Sequence, residues 1–483
     1  MLLAKRNWIE AFNKNYVFIF LFLILALSVF LRLYKLDFKS LWIDELYTIV
    51  PANPNNDLES IVRYCKSDQP PLFFFLLHYW FKIFPYSPFF GRLLSVVIGV
   101  LGVAAMYFLG AEIKNRETGL YASALSAINY FHIYYSQECR FYSLLFLLTV
   151  VSFIFFLRSL KYKTKKNYLL YVLSTIGLLY TQYFGIIVFG IQGIIFLFYI
   201  FFFEESLKFI LMGVVLATLI ACSFLPWLPT IINDTKINSY WIEKPKPYFL
   251  AVYYYIYWGK DVLTCFLSFG VCLFYLKQLW VQIKIKQNYM VEVFTGCMLV
   301  LWITLGYGIP YLRSLFSTPL LIPRYTLIIL PAIFLFIALG FELIKNRVIK
   351  MVVLCVLVLS IGFNLFLFND HYTTMDKAQW RETANTVLSK GKPTQLVYSN
   401  LEWWYNYYFY GTPYKVIGRF SANEDENITD FVSVVEKEQI FWLLSAEGTN
   451  GLSKAQKKYV ELYFKPKEIY NFYLSSAVLY VRL

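Results

Sequence analysis

Two acidic spots lie close together in the chain, Asp44 with Glu45 in Leu41-Trp42-Ile43-Asp44-Glu45-Leu46, and Asp68 in Ser67-Asp68-Gln69-Pro70-Pro71-Leu72. A carboxylate held by stiff backbone is suited to taking a proton from a hydroxyl, and Pro70-Pro71 restrains the residues just after Asp68. Trp42 and Tyr47 beside the first pair are residues that sit well at a water–lipid boundary. Two arginines form the complementary set: Arg140 in Gln137-Glu138-Cys139-Arg140-Phe141-Tyr142, and Arg324 in Ile322-Pro323-Arg324-Tyr325. A guanidinium donates two parallel hydrogen bonds to a phosphate, so these are anion-binding candidates. The plainer readings are a solvated acidic loop for Asp44 and Asp68, and a local pair with Glu138 for Arg140. Arg324 has no acid near it in sequence, and burying it without an anion would be costly. The three histidines, His78, His132 and His371, are too scattered for a metal centre, and the seven cysteines form no CxxC pair. Asp44 beside Glu45 still leaves room for a divalent cation.

These groups must be positioned by a chain that is mostly membrane. Of 483 residues, 59% are hydrophobic, 21% aromatic and only 15% charged, against about 25% charged in an average soluble protein. The net charge of +14 belongs to residues 1–369, because residues 370–483 hold 13 Lys/Arg and 13 Asp/Glu. Basic loops that orient membrane helices account for that distribution. With no basic patch in a soluble region, nucleic acid is excluded as a partner.

The apolar runs predict eleven crossings, at roughly 16–34, 90–111, 118–133, 141–159, 168–184, 186–203, 207–226, 261–279, 292–312, 324–343 and 350–368. The segment 71–84 is too short to cross and is expected to lie flat on the outer surface, an assignment that puts every lysine–arginine cluster on the cytoplasmic side. The N-terminus is then cytoplasmic, the C-terminus external, and the long loops 35–89 and 227–260 external. The tail changes character. Helices near 376–389, 401–410 and 453–462 alternate with strands near 395–398, 439–445 and 477–483, which predicts a small α/β domain at 370–483 after a membrane domain at 1–369. Its aromatic run Trp403, Trp404, Tyr405, Tyr407, Tyr408 suits either sugar stacking or a core helix.

The order Trp42-Ile43-Asp44-Glu45, Asp68-Gln69-Pro70-Pro71-Leu72-Phe73, His132 to Tyr142, and Pro323-Arg324-Tyr325 resembles the GT-C glycosyltransferases. Within them it is similar to the polyprenyl-phosphate-sugar branch that includes protein O-mannosyltransferases and the lipid A aminoarabinose transferase. The resemblance covers roughly residues 10–345 and implies a polyprenyl-phosphate-linked sugar donor, an active site at the outer face and an acid of the first loop as base. By motif, Asp44 takes that place, with Glu45 beside it and Asp68 before the Pro-Pro pair. Gln69 stands where many relatives have His or Lys, so a donor-phosphate contact there would carry no charge. Arg324, Arg140, Tyr325 and loop Lys244 are the expected phosphate-binding set. Since phosphate leaves without protonation, one displacement inverting the anomeric centre suffices. The expected function is an integral-membrane inverting glycosyltransferase of the cell envelope, in a bacterial inner or plasma membrane, passing a hexose or pentose to a glycan, lipid or protein acceptor among membrane lipids. The competing readings are a lipid-linked oligosaccharide ligase or polymerase, and a lipid or solute transporter. Against transport, the spans carry only the neutral polar residues Gln192 and Asn364 near mid-depth.

Overall fold

The computed structural model describes residues 2–66, 69–203, 205–234, 242–285, 290–399, 401–418, 424–448 and 452–483. The chain forms two units. One comprises Met1–Tyr34 with Pro51–Tyr372, the other Lys35–Val50 with Thr373–Leu483. The boundary expected at 369/370 thus falls three residues later. Lys35–Val50, the part of the first loop that carries Asp44 and Glu45, groups with the C-terminal unit, whereas the rest of that loop groups with the helices.

The first unit is helical. Among the described residues, nine helices are long and apolar enough to cross a membrane, from Tyr16–Leu33 to Arg347–Phe368. The other two expected spans are shorter. Lys165–Leu179 has 15 residues, roughly 22 Å of helix against about 30 Å of hydrocarbon. The segment expected at 118–133 is divided into Arg116–Ile128 and Tyr130–Ser136. Asn129 makes the division: its side-chain carbonyl accepts from the His132 amide at 3.0 Å and so caps the second helix. Leu72–Phe81 is a helix of ten residues, well short of a span.

The other helices pack around Pro323–Leu343, where 89% of the residues in its most apolar stretch are buried, and which is accordingly apolar on all sides. It begins as a tight 3-10 turn, Pro323–Ile329, and continues as an α-helix, Leu330–Leu343. Pro331 sits in the first turn of that helix, where its missing N–H costs nothing. Trp302 stacks on Phe153 and donates its indole N–H to the Ile328 carbonyl at 2.9 Å, fixing the turn from two sides. Side chains such as Phe18, Phe22, Phe201, Phe266 and Phe316 are widely exposed, as lipid-facing groups of membrane helices are.

The second unit holds a five-stranded sheet of order β2-β1-β3-β5-β4, with β1 Leu396–Tyr398, β2 Val416–Ile417, β3 Ile440–Ser445, β4 Phe464–Phe472 and β5 Ser475–Arg482. β1 runs parallel to β2 and β3, while β3, β5 and β4 pair antiparallel. β3 is central and covered on both faces, so it reads as an unbroken apolar run rather than an alternating one. One face packs Tyr398, Phe441 and Leu443 against Phe431 and Val435 of helix Glu424–Val435 and Val460 of helix Lys454–Tyr463. Every predicted helix and strand of the tail is present. Strand β2, helix Glu424–Val435 and strand β4 are additional.

Candidate active site

Asp44 and Glu45 open a short helix, Ile43–Ile49, and occupy its first turn, where carboxylates are favoured by the exposed N–H groups. Although adjacent, they differ. Asp44 is partly exposed, with its backbone carbonyl accepting from the Thr48 hydroxyl at 3.1 Å. Glu45 is fully buried, 3.2 Å from the Lys377 ammonium, and also accepts from the Trp42 amide at 3.3 Å. Lys377 is itself only 8% exposed and lies 5.5 Å from the Trp42 ring centre. A pair buried this deeply breaks at a cost of roughly 3–5 kcal/mol when one member is removed. Of the two neighbours, the Glu45 carboxylate is buried against Lys377, and Asp44 is the more exposed acid.

The segment before this helix is laced to the C-terminal part of the same unit. Arg381 donates to the Asp37 and Phe38 carbonyls at 2.8 Å each. The Lys39 ammonium pairs with Asp376 at 2.7 Å, and the Ser40 hydroxyl donates to Glu382 at 2.6 Å. The Tyr408 hydroxyl accepts from the Leu41 amide at 3.0 Å, and Trp403 packs its ring on Tyr47 at 4.6 Å. Trp404 stacks on the buried Trp380, and Tyr405 is fully buried with its hydroxyl on the Ser445 carbonyl. The aromatic run is therefore mainly core and seating for the first-loop segment.

In the helical unit, Asp68 lies outside the described residues. Gln69, beside it, is 7% exposed, and among the described residues its side-chain oxygen has no hydrogen-bond partner. The Leu72 amide donates to the Tyr180 carbonyl at 3.0 Å, tying the Pro70-Pro71 turn to the end of helix Lys165–Leu179. Arg140 is 4% exposed, its guanidinium 4.8 Å from the Phe141 ring, its amide on the Glu138 carbonyl at 2.8 Å. Arg324 is partly buried in the first turn of Pro323–Ile329, 5.8 Å from the ring of Tyr325, which in turn meets Phe184 at 5.3 Å. Lys244 is exposed and reaches the Leu315 carbonyl at 3.5 Å.

A run of hydroxyl and ring contacts links the segments that carry the two arginines. The Tyr257 hydroxyl hydrogen-bonds Thr326, two residues beyond Arg324, and accepts from the Tyr307 hydroxyl at 2.9 Å. The Tyr257 ring packs on Phe131 at 4.9 Å, and Phe131 leads through Tyr135 to Tyr142, two residues beyond Arg140. Tyr307 also lines an apolar groove of about 590 Å³ with Tyr254, Phe266, Phe269 and Phe336. One residue of the groove wall is thus tied through Tyr257 to Thr326 of the Arg324 turn. Among the described residues no three His, Cys, Asp or Glu come together to hold a metal.

Sequence reasoning missed Arg32. It is fully buried in the last turn of the first span and makes a dense set of hydrogen bonds. It donates to the Ala127 and Ser126 carbonyls at 2.9 and 3.1 Å, to Ser28 Oγ at 2.9 Å, to Ser136 Oγ at 3.3 Å, and to His132 Nδ1 at 2.7 Å. The break at Asn129 frees those carbonyls, and Arg32 satisfies them. Ser28 and Arg32, four apart in an otherwise apolar run, were the available signal.

Residues 68–229 match the family model described as dolichyl-phosphate-mannose-protein mannosyltransferase. No curated protein matches the chain by sequence. By structure it is similar to ArnT from Cupriavidus metallidurans in the apo state, with a TM-score of 0.63 at 11% identity, over 97% of this chain and 98% of that one. The same protein bound to undecaprenyl phosphate gives 0.59 at 12% identity, over 95% and 97%. The archaeal oligosaccharyltransferase AglB from Archaeoglobus fulgidus, in complex with an inhibitory peptide and a dolichol-phosphate, gives 0.60 at 12% identity, over 97% and 74%. The four motifs, the mannosyltransferase model across two of them and the shared architecture agree: this is a polytopic membrane protein with the GT-C glycosyltransferase fold.

Proposed function

We propose that the chain is an integral-membrane inverting glycosyltransferase that moves a sugar from a polyprenyl-phosphate donor to an acceptor hydroxyl at the outer face of the membrane. What supports the reading is an apolar groove whose wall residue Tyr307 is hydrogen-bonded through Tyr257 to the Arg324 turn. A donor of this class has a long apolar tail and one anionic head, and needs a greasy slot that ends at a guanidinium. Here Tyr307 lines the slot, and its hydroxyl leads through Tyr257 to Thr326. Arg324 and Arg140 stabilise the phosphate as it departs, with Gln69, Tyr325 and Lys244 as neutral or peripheral contacts. Asp44 is the general base that takes the acceptor proton. Asp68 is the second candidate for that role, and Glu45 serves by holding Asp44's helix. No acid is needed for the leaving group, which separates this site from a two-carboxyl hydrolase.

A transporter reading loses support at mid-depth. Gln192 accepts from Tyr171 at 3.2 Å and donates to Ser152 at 2.8 Å, so it is a satisfied packing contact rather than a waiting coupling group. The likeness to an oligosaccharyltransferase keeps a lipid-linked oligosaccharide donor as the second reading. Membranes holding the protein, supplied with polyprenyl phosphates charged with one labelled sugar or with an oligosaccharide, separate the two. Asp44→Asn is expected to reduce transfer at least about a hundredfold. Unimpaired transfer by that variant would remove Asp44 as the base.

A further inference from the structure

Helix Ile43–Ile49 has only 7 residues, fewer than a helix needs to persist alone in water. Its orientation is therefore set by what it is tied to. Successive residues on a helix point about 100° apart, so pinning one of two neighbours dictates where the other aims. Glu45 is fully buried against Lys377, and Asp44 beside it is partly exposed. We infer that Lys377 is a positioning residue for Asp44: by drawing Glu45 inward it aims the Asp44 carboxyl outward, so the C-terminal sequence sets the geometry of an acid 333 positions earlier in the chain. This rests on the reading of Asp44 as base.

The surrounding contacts agree with a seat built for this segment rather than a chance ion pair. Asp376, Lys377, Arg381 and Glu382 are four closely spaced charged residues, and they engage Lys39, Glu45, Asp37 with Phe38, and Ser40 in turn. Trp42, the residue before the helix, receives the Lys377 ammonium near its ring face and gives its amide to Glu45, closing a three-residue knot at the helix start. Lys377 itself touches no substrate in this scheme. Its effect passes through Glu45 and one peptide unit to Asp44.

The test compares full-length Lys377→Met and Lys377→Arg with the unaltered protein in lipid nanodiscs. Amide exchange over 43–49 is expected to quicken at least about tenfold in Lys377→Met and to stay near the original rate in Lys377→Arg, with β3 and β5 still protected. With undecaprenyl-phosphate mannose or arabinose as labelled donor and envelope material as acceptor, kcat is expected to fall at least about tenfold at an unchanged donor KM. Unchanged exchange over 43–49 in Lys377→Met, or a raised donor KM at full kcat, would overturn the inference. Should Lys377→Met lose the protection of β3 as well, the Glu45→Gln/Lys377→Met double variant removes both buried charges. It is expected to keep β3 protected with 43–49 still fast, and slow exchange there with full kcat would equally overturn the proposal. If Asp44→Asn transfers normally the base reading falls alone, and the exchange result still judges the anchor.

Discussion

Arg32 and Arg324 are both arginines at the ends of apolar helical segments, and their surroundings differ. Arg32 is fully buried and spends its guanidinium on three backbone carbonyls, two serine hydroxyls and a histidine. Arg324 is partly buried at the first turn of a 3-10 helix, beside the ring of Tyr325. A buried cation is tolerated where carbonyls replace its water, and the broken helix at Asn129 supplies those carbonyls to Arg32. The lesson is that a guanidinium's role in a membrane protein follows from the backbone groups around it.

The largest effect is expected at Arg324. Arg324→Ala is expected to cut sugar transfer about a hundredfold while leaving thermal stability in detergent unchanged, since a lost anion contact acts on the reaction. Arg324→Lys, which keeps charge but not the planar fork, is expected to retain about a tenth of the activity. Arg32→Leu should do the reverse. Stranding the Ser126 and Ala127 carbonyls costs about 3 kcal/mol, read as a lower melting temperature, while the surviving folded fraction keeps its donor KM. If Arg32→Leu instead raised donor KM without a stability loss, the two arginines would share one job. The smallest effect is expected from Tyr257→Phe, which removes the hydroxyl between Thr326 and Tyr307. A loss of about 1 kcal/mol is expected, seen as a few-fold rise in donor KM; no change would mean that the groove and the Arg324 turn are uncoupled.

Much of this was readable in the residues. The spans announce themselves through length and apolarity, because a backbone crossing hydrocarbon must satisfy its own hydrogen bonds within a helix. The tail's strands at 396–398 and 440–445 show as β-rich apolar runs between turn residues. β2 escaped because two residues leave no period to detect. Helix Glu424–Val435 was hidden by its acidic start, and β4 by Lys465, Pro466 and Lys467, which belong to a sheet edge. The division of 118–133 was missed because Asn129 reads as one polar residue in an apolar run, and only its cap geometry reveals a helix end.

The site divides along the same line. Sequence alone determined which residue types are present for chemistry: carboxylates in the first loop, arginines at two helix ends, a Pro-Pro turn, and enough apolar length to place them at a membrane. The tertiary structure decided which of them are already engaged. It buried Glu45 on Lys377 and left Asp44 partly exposed beside it, folded Lys35–Val50 with the C-terminal unit, and turned Arg32 into a plug for a broken helix. The physical reason is that charge in a low-dielectric interior is settled by partners within a few ångströms, and those partners come from hundreds of residues away.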